Sequence, residues 1–289
     1  MKNTHRWGVT ALTLMALTAS AAGLSQDLFA AMRKKYSGRQ PGLDAMSSTP
    51  DKHGLEWEAF AVENPDGVRI ASWWLPAEGA QATVVMVHGF NMNKSQMLTR
   101  ARFLVNAGVH VALVDLRARG ESGGDMTSPG PDAASDVTAV LEHIRVELAP
   151  SLPVVLYGFS HGARTVLFTA QQDGEHAQAP LVGVIAEAPP FSLRAAFKRQ
   201  MKSSFAPPIP EGDLVATCTE LSDKAVLILV GADDPDLSAE EARRLVPGKE
   251  TRLRRVEIFA DTGHGVLTPE TEALFGDTVT VFVASLLER

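Results

Sequence analysis

From Leu55 onward the chain changes between two kinds of hydrophobic pattern. LEWEAFAVE and VRIASWWLP alternate apolar and polar positions on either side of Asn64-Pro65-Asp66-Gly67, which predicts an antiparallel hairpin by alternation and turn chemistry. Then come TVVMVH, VHVALVD, PVVLYG, LVGVIAEA and AVLILVG, short runs of Val, Ile and Leu without polar alternation, and a more mixed LRRVEIF. Strands buried on both faces read this way, so a parallel sheet covered by helices is expected. Helical spacing fills the gaps, over 95–107, 132–148, 163–171, 238–246 and 271–287. Ser238 with Glu241 three residues on is a capping box that marks a helix start.

A hairpin followed by strand–helix repeats is an α/β fold, with a doubly wound, mostly parallel sheet and right-handed crossovers. No tandem repeat interrupts it. The stretch 191–224 is longer than a normal excursion between strands and carries the basic amphipathic piece FSLRAAFKRQMKSSF, then APPIPEGD. It reads as a small lid insertion near the carboxyl edge of the sheet, where open α/β sheets bind ligands.

The amino-terminal part differs. Lys2, His5 and Arg6 precede WGVTALTLMALTASAAGL, and small residues close the run. This describes an export signal, or an anchor at the lower length limit for crossing a bilayer, over residues 1–24. Residues 25–53 are polar and rich in Ser, Gly and Pro, which suits a linker with one helical turn. The folded domain is then expected over 54–289, exported or tethered to a membrane.

Composition adds limits. With 289 residues, 45% of them hydrophobic, the chain can build a large core without covalent staples. The formal charge of −7 lacks the basic footprint of nucleic-acid binding. Cys218 is the only cysteine, which excludes an internal disulfide or a thiolate metal cluster.

Two pentapeptides read G-x-S-x-G: GESGG at 120–124 and GFSHG at 158–162. A serine nucleophile on a sharp turn needs a buried strand leading straight in and a helix leaving at once. GFSHG has both, PVVLY before it and ARTVLFTAQQ after it, and the departing helix aims its positive end at the serine. GESGG follows its strand by several residues and runs into DMTSPGPD, so Ser122 is expected to be a loop residue. Ser160 is the candidate nucleophile.

On such a turn the partners follow in the order serine, acid, histidine. Only His161, His176 and His264 come after Ser160. His161 is too near in sequence to fold back, and His176 lies in a connecting loop before any strand-end acid. His264, in DTGHGVL after the last strand, is left as the general base. The acid belongs in Ala232-Asp233-Asp234-Pro235-Asp236, just past AVLILVG. Asp234 is favoured, Asp233 is the alternative, and Asp236 suits the turn before Ser238. Two backbone N–H groups should receive a developing oxyanion, one from His161 and one from Phe90 in the HGF loop after the first parallel strand.

HGF, DLRARGESGG, GFSHG, GADDPD and TGHG, in that order, resemble the α/β-hydrolase superfamily from about Leu55 to the end. The short insertion is more similar to the serine-aminopeptidase or monoglyceride-lipase type than to large-capped relatives. The resemblance implies a serine hydrolase cleaving a small-molecule ester or amide, with no metal or organic cofactor. It also implies that GESGG is a structural loop, with Asp115 and Arg117 bonded to backbone. Two rivals share the residues: an acyltransferase using the same triad, and an inactive binding protein on an intact fold.

Overall fold

The computed structural model describes residues 38–39, 44–127, 133–200 and 211–288, with isolated positions 202, 204, 206 and 209. Residues 1–24 lie outside these, as does most of the expected linker. From 44 on, the chain lies against the body of the fold. Asn93 Nδ2 donates to Ala45 O at 3.0 Å, Ser47 N donates to Ser95 Oγ at 3.1 Å, and Pro50–His53 forms a single 3₁₀ turn. Among the described residues, no helix is long and apolar enough to cross a membrane.

Among the described residues, eight strands form one sheet in the order β1-β2-β4-β3-β5-β6-β7-β8. They are β1 (Glu58–Glu63), β2 (Arg69–Leu75), β3 (Thr83–Val87), β4 (His110–Val114), β5 (Val154–Phe159), β6 (Leu181–Glu187), β7 (Ala225–Gly231) and β8 (Arg254–Phe259). β1 and β2 make the hairpin, in register from Glu58↔Trp74 to Glu63↔Arg69, and Gly67 at φ 73° supplies the left-handed turn residue. β2 also runs antiparallel to β4, while β3 to β8 are mutually parallel.

Among the described residues, seven α-helices cover the sheet: α1 (Leu98–Asn106), α2 (Ala134–His143), α3 (His161–Gln172), α4 (Leu193–Gln200), α5 (Leu214–Glu220), α6 (Ala239–Arg244) and α7 (Glu272–Leu287). The continuous apolar strands sort by parity into two cores. Val85, Val87, Leu156, Val184 and Ile228 face α2, α3, α5 and α6; Val84, Met86, Val155, Tyr157 and Leu227 face α1 and α7. That two-sided burial is why these strands lack polar alternation. The Ser238–Glu241 capping box is present at the start of α6.

The long excursion between β6 and β7 divides in two. α5, capped by Asp213, buries Leu214 and Cys218 in the core beside α3, so it is the ordinary crossover helix rather than part of an insertion. The additional chain is 191–213, which carries α4 with its mostly exposed basic face. Its neck is tied to the body by Arg164, buried on α3. Arg164 Nη1 donates to Pro190 O at 2.7 Å on the way in, and Nη2 donates to Glu211 O on the way out. Glu211 in turn accepts from the N–H groups of Leu193 and Arg194, at 3.1 and 3.2 Å, and so caps α4.

Truncating Arg164 strands these carbonyls without removing apolar packing. Arg164→Met is therefore expected to lower stability by roughly 2–3 kcal/mol in urea unfolding. Limited proteolysis should show its new cleavage sites inside 191–213.

Candidate active site

β5 delivers Ser160 to the carboxyl edge of the sheet, and α3 departs with His161. At Ser160 the backbone sits at φ 54°, ψ −116°, a strained region for a residue with a side chain. Its glycine neighbours make the turn possible. A Cβ on Gly158 would lie 2.2 Å from Gly162 O, and one on Gly162 would lie 2.4 Å from Val87 O and 2.5 Å from His88 O. The N–H of Ser160 donates to Glu187 O at 2.8 Å, fixing the turn to the end of β6.

The structure brings Ser160, His264 and Asp234 together. Ser160 Oγ lies 2.8 Å from His264 Nε2, and His264 Nδ1 lies 3.1 Å from each carboxylate oxygen of Asp234. Asp234 has a fully buried side chain, whereas Asp233 is exposed and contributes its backbone N–H to Thr262 O at 2.9 Å. The β7 loop and the histidine loop pack backbone to backbone, for a Cβ on Gly231 would lie 2.2 Å from Gly263 O. Asp236, expected to serve only the turn, also comes within 3.7 Å of His264 Nδ1 and pairs with Arg199 of α4.

Burial by itself pulls the His264 imidazole down. The hydrogen bond and charge of Asp234, with smaller contributions from Asp236 and Glu187, outweigh it and hold the pKa above the usual histidine value.

Phe90 follows β3 and is half-buried, with its ring edge-on to the His161 imidazole and centroids 6.0 Å apart. His88 orients the loop. Its Nδ1 donates to Gly89 O at 2.8 Å while its Nε2 accepts from Leu116 N at 3.1 Å, which requires a neutral ring. Burial supplies that by lowering the His88 pKa. Because the peptide group is planar and trans, turning Gly89 C=O toward His88 turns the Phe90 N–H away from it.

Ser122 is placed elsewhere. Its Oγ donates to Asp115 O at 2.7 Å and accepts from Ala71 N at 2.8 Å, so it stitches a loop to β2. Asp115 does bond backbone, accepting from Lys94 N at 2.7 Å and Glu121 N at 2.9 Å, and it also pairs with the Lys94 ammonium. Arg117 departs from expectation: its guanidinium engages the side chains of Asp136, Asp66 and Ser135 rather than backbone. Sequence reading also passes over Glu187. Its only signal is a lone carboxylate in the apolar run LVGVIAEA, and a buried charge demands partners.

Among the described residues, two groups of side chains are close enough to share a metal ion, Asp234-Asp236-His264 and Glu142-Asp173-His176. In the second, Arg145 already bridges Glu142 and Asp173. In the first, Ser160 and Arg199 hold the neighbouring positions.

Residues 78–220 match the family model of the S33 serine aminopeptidases. A solved structure of the Pyrococcus furiosus esterase Pf2001 superposes with a TM-score of 0.67, at 22% identity over 84% of this chain and 96% of that one. The chain has the α/β-hydrolase fold. Over residues 78–220 the chain is thus similar to serine hydrolases, and it shares their fold. Other solved structures are similar too. The Exiguobacterium antarcticum esterase EaEST gives a TM-score of 0.61 at 19% identity, covering 80% of this chain and 100% of that one. XC6422 from Xanthomonas campestris, a serine hydrolase without a lid, gives 0.54 at 20%, covering 78% and 95%. Among curated sequences, YqkD of Bacillus subtilis (strain 168), an uncharacterized protein, is 27% identical over 116 residues, or 40% of this chain and 38% of its own length.

The glycine contacts make a direct prediction. Gly162→Ala should force α3 off the β3 loop and cost on the order of 3 kcal/mol or more by thermal unfolding. Gly174→Ala, where a Cβ meets nothing within 4 Å, should leave the melting temperature unchanged.

Proposed function

We propose that this chain cleaves small-molecule carboxylic esters, or amides, through an acyl-enzyme on Ser160. The reading is carried by the unbroken hydrogen-bonded chain from Ser160 Oγ through His264 to Asp234, with neighbouring oxygen and nitrogen atoms 2.8 and 3.1 Å apart. Ser160 Oγ attacks the substrate carbonyl as His264 Nε2 takes its proton. Asp234 holds the ring with Nδ1–H facing the carboxylate and stabilises the imidazolium that forms. His264 then gives the proton to the departing alcohol or amine, and water repeats the sequence to release the acid.

The N–H of His161, at the positive end of α3, is the proposed first donor to the oxyanion. The N–H of Phe90, turned away from His88 by the Gly89 hydrogen bond, is the second. Residues 1–24, on their charge and apolar pattern alone, would carry the domain over 54–289 out of the cytoplasm or hold it at a membrane.

A series of p-nitrophenyl esters of increasing acyl length, run beside aminoacyl arylamides, tests the reaction class. Ser160→Ala should lower kcat on the order of a millionfold and Asp234→Asn about ten-thousandfold. Ser122→Ala should keep kcat while losing stability, because two buried hydrogen bonds go with the hydroxyl. Equal losses in Ser160→Ala and Ser122→Ala would refute the assignment.

The base works only when neutral, and its pKa is raised. The acid limb of kcat/KM should therefore lie above the usual histidine value of about 6.5, with activity falling below it. A limb at or below that value would contradict the role given to Asp234.

A further inference from the structure

Glu187 is a full carboxylate at the end of a strand buried on both faces, and it meets both halves of the site. Its main-chain oxygen takes the Ser160 N–H at 2.8 Å, and its Oε1 takes the Val266 N–H, two residues past His264, at 3.3 Å. Arg100 of α1 grips the carboxylate with two bonds of 2.7 and 2.6 Å, and the Tyr157 hydroxyl also donates to it. Arg100 reaches the histidine by a second route. Its guanidinium lies 4.8 Å from the Phe159 ring centroid, and that ring lies 5.7 Å from the His264 imidazole.

A buried pair of this kind is a poor stability device, because apolar residues of similar volume often serve as well. Placed where one carboxylate holds the nucleophile turn with its backbone and the histidine loop with its side chain, it has another use. We propose that Glu187, clamped by Arg100, is a positioning residue that sets the distance and the charge environment of His264 relative to Ser160.

Several charged and titratable groups surround that histidine. Asp234 and Asp236 face it from the loop after β7, and Arg199 of α4 partly offsets Asp236. Glu187 faces it from β6, partly offset by Arg100 of α1. Tyr157 of β5 stays protonated, since burial, and then the Glu187 charge, push its pKa well up. Glu187 is thus one of the negative charges that favour the imidazolium. Its removal with Arg100 left in place takes away that support and leaves a cation nearby.

The proposal rests on the hydrolase reading, so wild type and Ser160→Ala run beside the variants on a p-nitrophenyl ester. If wild type is no faster than Ser160→Ala, that reading fails and takes this one with it. If wild type is active, Glu187→Gln tests positioning and charge together. Its plateau kcat should fall about ten- to a hundredfold with KM within twofold, and its acid limb should move to lower pH.

The double variant Glu187→Gln, Arg100→Met removes both buried charges together and guards against simple misfolding of the single one. It should fold, lose kcat to a similar extent and again shift the limb downward. A folded variant with wild-type kcat and an unmoved limb overturns the proposal, as does a loss confined to KM. If both variants fail to fold, the pair is structural and the proposal is equally overturned.

Discussion

Holding a serine at φ 54° costs on the order of 1–3 kcal/mol, and most of the molecule's distinctive packing serves that one turn. The strain persists because β5 is locked between β3 and β6 in the centre of the sheet, and because α3 starts too close to β3 for any residue but glycine at 162. In return the hydroxyl stands clear of the sheet edge with the positive end of a helix behind it. The histidine and acid reach it on loops that leave neighbouring parallel strands at the same edge.

Around this turn the fold uses buried charge as scaffolding. Lys94 lies between Asp115 and Glu121, Arg117 reaches Asp66 and Asp136, and Arg164 ties both ends of the 191–213 excursion. Each spans segments far apart in sequence that no backbone ladder connects. The second G-x-S-x-G belongs to this scaffolding. Its serine hydroxyl replaces a missing rung between β2 and the loop after β4, so the same five-residue pattern has different surroundings at its two occurrences.

The sheet was legible because burial on both faces leaves an unmistakable composition, and the Ser160 turn because its strand, glycines and helix are contiguous. His264 could be reached by elimination among few histidines, and the structure sets it beside Ser160. Asp234 and Asp233 were harder to separate, since adjacent residues differ only in which way the loop turns them; packing buries the first and exposes the second. Arg117 and Glu187 escaped because their partners sit on remote elements: Arg100 is 87 residues from Glu187. α5 was hidden within the excursion because a helix of seven residues with mixed polarity gives little periodic signal.

The central claim is that Ser160, His264 and the amides of Phe90 and His161 converge on one reacting carbonyl. A crystal structure of the protein after reaction with a fluorophosphonate measures that convergence directly. The phosphorus should be bonded to Ser160 Oγ, with its oxygen about 2.7–3.1 Å from both amide nitrogens. An adduct on any other residue, or a phosphoryl oxygen facing solvent with neither amide in reach, would contradict it.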